Sequence, residues 1–214
     1  MQSDLVMEYS SGDQHVKARE QLIAERPASL RVDAMSPFGV ALVVVAHDGS
    51  LQIFNPSKNQ LIRDSASAET LNRYVRIPMA PEDAVRLLMG LAPAEAQLDR
   101  AADSVTSADN MTVASWRGSD SATVQLGFDS GALAMVREFD ASGAVGYDVR
   151  YSDYRDIGGI QFPYSVDAKF PSAGSHLSLR YDRPIINGAI PESAFILTPR
   201  NASEVEEAQS GATS

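Results

Sequence analysis

Few residues in this 214-residue chain could do covalent chemistry. Gly127-Phe128-Asp129-Ser130-Gly131 superficially matches a nucleophile elbow, the strand-to-helix turn that exposes a serine hydroxyl for attack. Its serine stands fourth instead of third, between two apolar alternating runs and not ahead of a helix, so the segment reads as a hairpin turn. His15, His47 and His176 lack the His-x-His or His-x-x-x-His spacing that would bring two imidazoles to one metal. Asp153 and Asp156 flank Tyr154-Arg155 and could pair, but acids at a strand end and turn are ordinarily solvated. Cysteine is absent, which excludes thiolate metal sites, catalytic thiols and disulfides. No glycine-rich phosphate loop, zinc-protease motif or EF-hand loop occurs. The chain is therefore expected to be non-enzymatic, with no catalytic residues, no metal and no cofactor.

The remaining candidate chemistry is apolar. Eighteen Lys+Arg against 28 Asp+Glu give a net charge of -10, so no basic stripe can neutralise phosphates and nucleic acid is excluded as a partner. With 44% hydrophobic residues, one folded domain with a sizeable core is expected. The longest apolar run, Phe38 to Ala46, is too short to span a bilayer as a helix.

The elements that must position this apolar surface are mostly strands. Val145, Tyr147, Val149 and Tyr151 alternate with polar residues, then Ile160, Phe162, Tyr164, Val166, Ala168 and Phe170, then Leu177, Leu179 and Tyr181. A period of two with Gly and Pro turns between the runs predicts an antiparallel meander with one apolar face. Further strands are expected at Ala122 to Phe128, Leu133 to Phe139, Leu30 to Ala34 and Leu51 to Phe54. Val40 to Ala46 is apolar on both faces, which demands cover on both sides. The cover expected is a helical insert over about 67–100, where Ser67 caps one short helix and Pro81 opens a second, with Gly90 after its end. The tail 201–214 carries three glutamates and no basic residue and is expected to be disordered. The fold class is mainly β (α+β by count), with about ten to twelve antiparallel strands and one helical interruption. Two arrangements suit that count: a closed barrel, or a curved open sheet around inserted helices. The aromatics on consecutive strands either fill a core or line a pocket.

An ordered series of short motifs narrows the choice. Glu25-Arg26-Pro27, Leu30-Arg31-Val32-Asp33, Ser36-Pro37-Phe38-Gly39, an apolar strand, Asp48-Gly49 and Ile53-Phe54-Asn55-Pro56 follow one another. Tyr154, Gly158-Gly159-Ile160, Pro163, Ile186-Asn187-Gly188, Ile190-Pro191 and Phe195 continue the series. Together they resemble the LolA/LolB lipoprotein-localisation superfamily over roughly residues 4 to 200. The resemblance implies one domain over 1–200: a curved, incomplete antiparallel barrel with helices as a lid over an apolar cavity that holds acyl chains. It departs from the family pattern in two respects. The long N-terminal helix is missing, with only Asp4 to Tyr9 before the first turn, and so is the anchor cysteine. An anchor-bearing segment ahead of residue 1 would account for both.

The resemblance implies a location in the bacterial periplasm, with an outer-membrane role and a lipid anchor if such a segment exists. Acylated lipoproteins or lipids are the implied partners, with envelope transport proteins as further ones, and the protein is expected to be a monomer. Lid candidates are Leu71, Tyr74, Val75, Val85, Leu88 and Met89; cavity-wall candidates are Trp116, Phe128, Tyr147, Phe162, Tyr164 and Leu179. Core packing competes with a site role for each. Arg26 matches the arginine that bonds the lid of the family's periplasmic carrier and latches it closed. Burying one 16-carbon chain is worth on the order of 12 kcal/mol, so a lid that buries its own apolar face when the cavity empties would help cargo leave. The competing reading is a protein-interaction or envelope-stress sensor domain on the same fold.

Overall fold

The computed structural model describes residues 1–93, 98–108 and 110–204. Among these described residues, fourteen strands form one open sheet, slightly more than the ten to twelve expected. β1 (Gln2–Ser11) and β2 (Gln14–Glu25) form a long N-terminal hairpin, followed by β3 (Ser29–Ser36), β4 (Gly39–His47), β5 (Ser50–Asn55) and β6 (Gln60–Ser65). Two helices interrupt the chain, α1 (Ala68–Val75) and α2 (Pro81–Leu88). The second series is β7 (Ser104–Ala108), β8 (Met111–Arg117), β9 (Thr123–Asp129), β10 (Ala132–Phe139), β11 (Val145–Ile157), β12 (Ile160–Phe170) and β13 (Ser175–Ile185). A short β14 (Ser203–Glu204) pairs in parallel with Gln60 and Leu61 of β6. Pairing thus extends past residue 200, and the expected disorder of the rest of the tail, 205–214, lies outside the described residues.

The strand order is β14-β6-β5-β4-β3-β2-β1-β13-β12-β11-β10-β9-β8-β7, so β1 joins the two series by pairing with β13. Apart from β14, every pairing is antiparallel between sequence neighbours or across that one seam. The meander expected over 145–181 is observed as β11, β12 and β13, with Tyr151 opposite Val166 and Val166 opposite Leu179. Period two places Leu5, Leu22, Leu30, Val44, Val149, Val166 and Leu179 in one buried cluster against the helices.

Local chemistry explains the helix ends. Ser67 Oγ accepts from the Thr70 amide at 3.2 Å and Thr70 Oγ1 accepts from the Ser67 amide at 3.0 Å, satisfying two otherwise orphaned donors. Arg76 ends α1 in the left-handed region, its N–H bonding the Asn72 and Leu71 carbonyls. Pro81 starts α2, with Glu82 and Asp83 in its first turn. Gly90 follows with φ of 70°, and a Cβ there would lie 2.8 Å from the Pro163 side chain of β12. Only glycine allows α2 to end so close to the sheet.

The two-sided cover of β4 is observed, but from two sources. On one face Val44 and Ala46 join the main cluster with the helices. On the other, Val43 and Val45 pack with Phe195, supported by Ile190 and Leu197. Phe195 stacks on His47 at 5.1 Å, and Arg31 donates to the Ala194 carbonyl at 3.0 Å. The outer cover is therefore the C-terminal segment that follows β13.

Candidate functional site: an apolar hollow under the helices

A hollow of about 390 Å³ lies between the helices and the concave face of the sheet, within the size range of small-molecule sites. Its walls are rows of alternating side chains. β1 supplies Leu5, Met7 and Tyr9; β2 supplies Val16, Glu20 and Leu22; β3 supplies Leu30, Val32 and Ala34; β4 supplies Leu42 and Val44. Across the seam, Leu177 and Leu179 of β13, Val166, Ala168 and Phe170 of β12 and Val149 of β11 complete the wall. Leu71, Tyr74, Val75 and Arg76 of α1 and its cap, with Ile77 and Met79 of the linker and Ala84, Leu87 and Leu88 of α2, form the roof.

The roof is held unequally. Two sheet tyrosines reach up to the last turn of α2, where helical carbonyls lack intrahelical partners. Tyr151 Oη donates to the Leu87 carbonyl at 3.1 Å and Tyr181 Oη to the Leu88 carbonyl at 2.7 Å. Burial pushes the Tyr181 phenol well above its ordinary range; for Tyr151, burial and neighbouring tyrosines act the same way. Both therefore stay protonated donors. Pro81, Ala84, Val85 and Leu87 are buried, so α2 is a fixed part of the core. α1 buries only Thr70 and Leu71, and Tyr74 Oη donates to the partly exposed Asp64 carboxylate at 3.3 Å.

Two polar groups interrupt the apolar wall. Glu20 is 7% exposed, sits between Leu5 and Ala34 on the neighbouring strands, and has no hydrogen-bond or ion-pair partner among the described residues. Desolvation raises its carboxyl from the ordinary 4.5 to about 7. The Tyr9 hydroxyl is enclosed and makes no hydrogen bond among the described residues. At one end of the same strands lie exposed apolar side chains: Val16, Met35, Val40 and the fully exposed Phe38 of the β3–β4 turn.

Of the lid candidates, Leu71, Tyr74, Val75 and Leu88 line the hollow. Val85 is fully buried in the core and Met89 packs partly buried against it. Of the wall candidates, Leu179 lines the hollow. Trp116, Tyr147 and Phe162 are buried core residues, and Phe128 and Tyr164 pack partly exposed against that core; none of the five lines the hollow. Phe162 packs edge-on against Tyr164 at 6.2 Å and Tyr181 at 5.3 Å, and Trp116 Nε1 donates to the Arg100 carbonyl at 3.2 Å. Large rings fill the space over one part of the inner face, and aliphatic side chains leave it open over another. Arg26 is exposed in the β2–β3 turn and makes no hydrogen bond or ion pair to the helical insert among the described residues.

Sequence reasoning missed the N-terminal hairpin as a wall. Its signal was present: Leu5, Met7 and Tyr9 alternate on β1, and Val16, Ala18, Glu20, Leu22 and Ala24 on β2, with one acid breaking the apolar row. The residues weighed for covalent chemistry do not converge on the hollow. Ser130 is in an exposed turn, donating to Asp129 at 3.0 Å. His47 stacks on the outer face, His176 pairs with Asp167 at 2.9 Å, and Asp153 pairs with Arg155. Among the described residues, no group of three or more His, Asp or Glu could hold a metal. A second, open depression near Arg100, Asp103 and Arg117 is polar, and its Arg100 guanidinium is already bidentate to Asp103.

No family model matches the sequence, and no curated protein matches it. Solved structures do. A LolA superfamily protein from Nitrosomonas europaea matches with a TM-score of 0.59 and 17% identity, over 92% of this chain and 89% of that one. A domain named for outer membrane lipoprotein sorting, from Vibrio parahaemolyticus, matches with a TM-score of 0.60 and 11% identity, over 91% and 88%. A DUF1329 family protein from Desulfovibrio piger gives 0.59 and 11%, also over 91% and 88%. At such identities the likeness concerns backbone architecture, and it agrees with the open sheet, the helical insert and the motif series of the sequence: the chain has a LolA/LolB-like fold.

Proposed function

We propose that this protein binds acyl chains of lipoproteins or other lipids, without catalysis, and carries or accepts them in the bacterial envelope. The observation that carries the proposal is the hollow itself: about 390 Å³ of space under two short helices, walled by aliphatic side chains from seven strands. Apolar walls of this kind favour transfer of methylene groups from water by about 0.8 kcal/mol each. The fold shared with a domain named for lipoprotein sorting supports the same reading.

The unequal roof suggests how a chain would enter. α2 is tied by Tyr151 and Tyr181, so opening would proceed by displacement of α1, which buries fewer residues and is held to the sheet by Leu71, by Thr70 Oγ1 donating to the Ser65 carbonyl at 2.6 Å and by the Asp64 pairing. The latch role that the resemblance carries to Arg26 has no bond behind it among the described residues, and slower release of a bound acyl probe from Arg26→Leu than from the wild type would be its evidence.

Ala34→Phe tests the main proposal, because Ala34 lines the hollow and a ring there occupies it. A fluorescent fatty-acid probe is expected to bind the wild type and to bind this variant at least about tenfold more weakly, with circular dichroism unchanged. Equal binding by both would show that the probe does not use the hollow.

A further inference from the structure

An apolar hollow built only for hydrocarbon has no use for a carboxyl in its wall. Glu20 occupies the middle of the β2 row, with the exposed Val16 toward one end and the buried Leu22 next to it on the other side. The residues opposite it on the same face are Leu5 of β1 and Ala34 of β3, neither of which can donate a hydrogen bond from its side chain. Buried acids in proteins are ordinarily paired. This one is more than nine-tenths buried with no partner among the described residues, and it faces open space. Tyr9, whose enclosed hydroxyl is likewise unbonded among the described residues, lines the hollow farther along β1, opposite Val16.

We infer that Glu20 is a recognition point for a protonated amine, so that the hollow selects amphiphiles carrying an ammonium group beside their hydrocarbon. The inference rests on the acyl-binding reading and specifies its ligand class. An ammonium brings three donors and a positive charge, matching two carboxylate oxygens that lack donors. A carbonyl or hydroxyl ligand would be served as well by a serine or threonine, which would not place an ionisable acid in an apolar wall. An anionic headgroup would meet repulsion from Glu20 and from a chain of net charge -10, while the lining cation, Arg76, is exposed to solvent that screens it.

The expected pH dependence has a definite sign. Burial holds the Glu20 carboxyl at about 7, so it is mostly ionised on the alkaline side and protonated on the acid side. Among the described residues, the other titratable or charged groups lining the hollow are the phenols of Tyr9 and Tyr74 and the exposed guanidinium of Arg76. The β3, β4, β12 and β13 walls contribute aliphatic side chains and the Phe170 ring. Preference for an amine therefore strengthens as pH rises through about 7.

Calorimetric titration with decylamine, decanol and decanoate, each below its micellar concentration, tests this. At about pH 8 the wild type should bind decylamine roughly tenfold or more tighter than decanol, and decanoate most weakly, as for a charge-assisted hydrogen bond. Glu20→Gln, which keeps shape and removes the charge, should bind decylamine and decanol within about threefold of each other. If that variant does not fold, the wild type decides alone: its amine-to-alcohol ratio should fall at least about fivefold between about pH 8 and about pH 5.5. Decanol binding with no amine preference, or a preference that survives both Glu20→Gln and the pH change, would overturn the inference and leave the acyl-binding reading standing. Failure of all three ligands to bind would overturn both.

Discussion

Glu20 also makes a prediction about the protein without any ligand. Its carboxyl sits at about 7 in the folded protein against an ordinary 4.5, because burial penalises the charged form. Between those two values the folded state holds a proton that the unfolded chain has released. Stability therefore falls as pH rises through this window, by about 1.4 kcal/mol per pH unit from this group alone. The full contribution is present below pH 4.5 and is lost above about 7. The difference between the two values corresponds to about 3 kcal/mol, a large fraction of the stability of an ordinary domain. Glu20→Gln removes the term. The cost of an unpaired amide does not vary with pH, and all other acids titrate alike in both proteins. The informative quantity is therefore the wild-type-minus-variant difference, measured by urea denaturation at about pH 4 and about pH 8. The variant should gain about 2–3 kcal/mol on the wild type between those conditions. A difference that stays constant across the range would mean that Glu20 is solvated or paired, and would remove the physical basis for its role in the hollow.

Other perturbations test the separate parts. Tyr181→Phe leaves the Leu88 carbonyl without its 2.7 Å donor, which should cost about 1–3 kcal/mol in denaturant titration. Phe195→Ala uncovers Val43 and Val45 and removes the stack on His47; a loss of about 3–5 kcal/mol is expected, with the acyl-probe affinity kept because the hollow lies on the opposite face. Phe38→Ser changes a fully exposed side chain, so its thermal unfolding should match the wild type within about 0.5 kcal/mol.

The parts of the fold readable in the sequence were those where one signal dominates. Strict alternation over 145–181 specified three strands and their shared apolar face, and Ser67, Pro81 and Gly90 marked helix ends where the structure has them. β7 and β8 carry no such signal, because Val105 is exposed and the buried Val113, Ala114 and Trp116 of β8 do not alternate strictly in a run rich in Ser and Thr. The hollow was harder to place. Alternation says that a side chain is on the inner face, but whether that face meets packed rings or open space depends on what lies across from it. Tyr147 and Leu179 are both inner-face residues of the meander, yet of the two only Leu179 meets the hollow. The bridging position of β1 between β2 and β13, which brings Leu5, Met7 and Tyr9 into the wall, is a long-range pairing that no local pattern reveals. Tyr151 and Tyr181 were visible as inner-face aromatics, and their hold on the end of α2 became evident only from the hydrogen bonds.

Native mass spectrometry with extraction of bound lipid, on protein exported to the envelope of a bacterial host and purified without detergent, tests the central claim most directly. One acylated molecule per protein is expected, displaced when Ala34 is replaced by phenylalanine. A protein that emerges empty and also fails to take up a fluorescent fatty acid would contradict it.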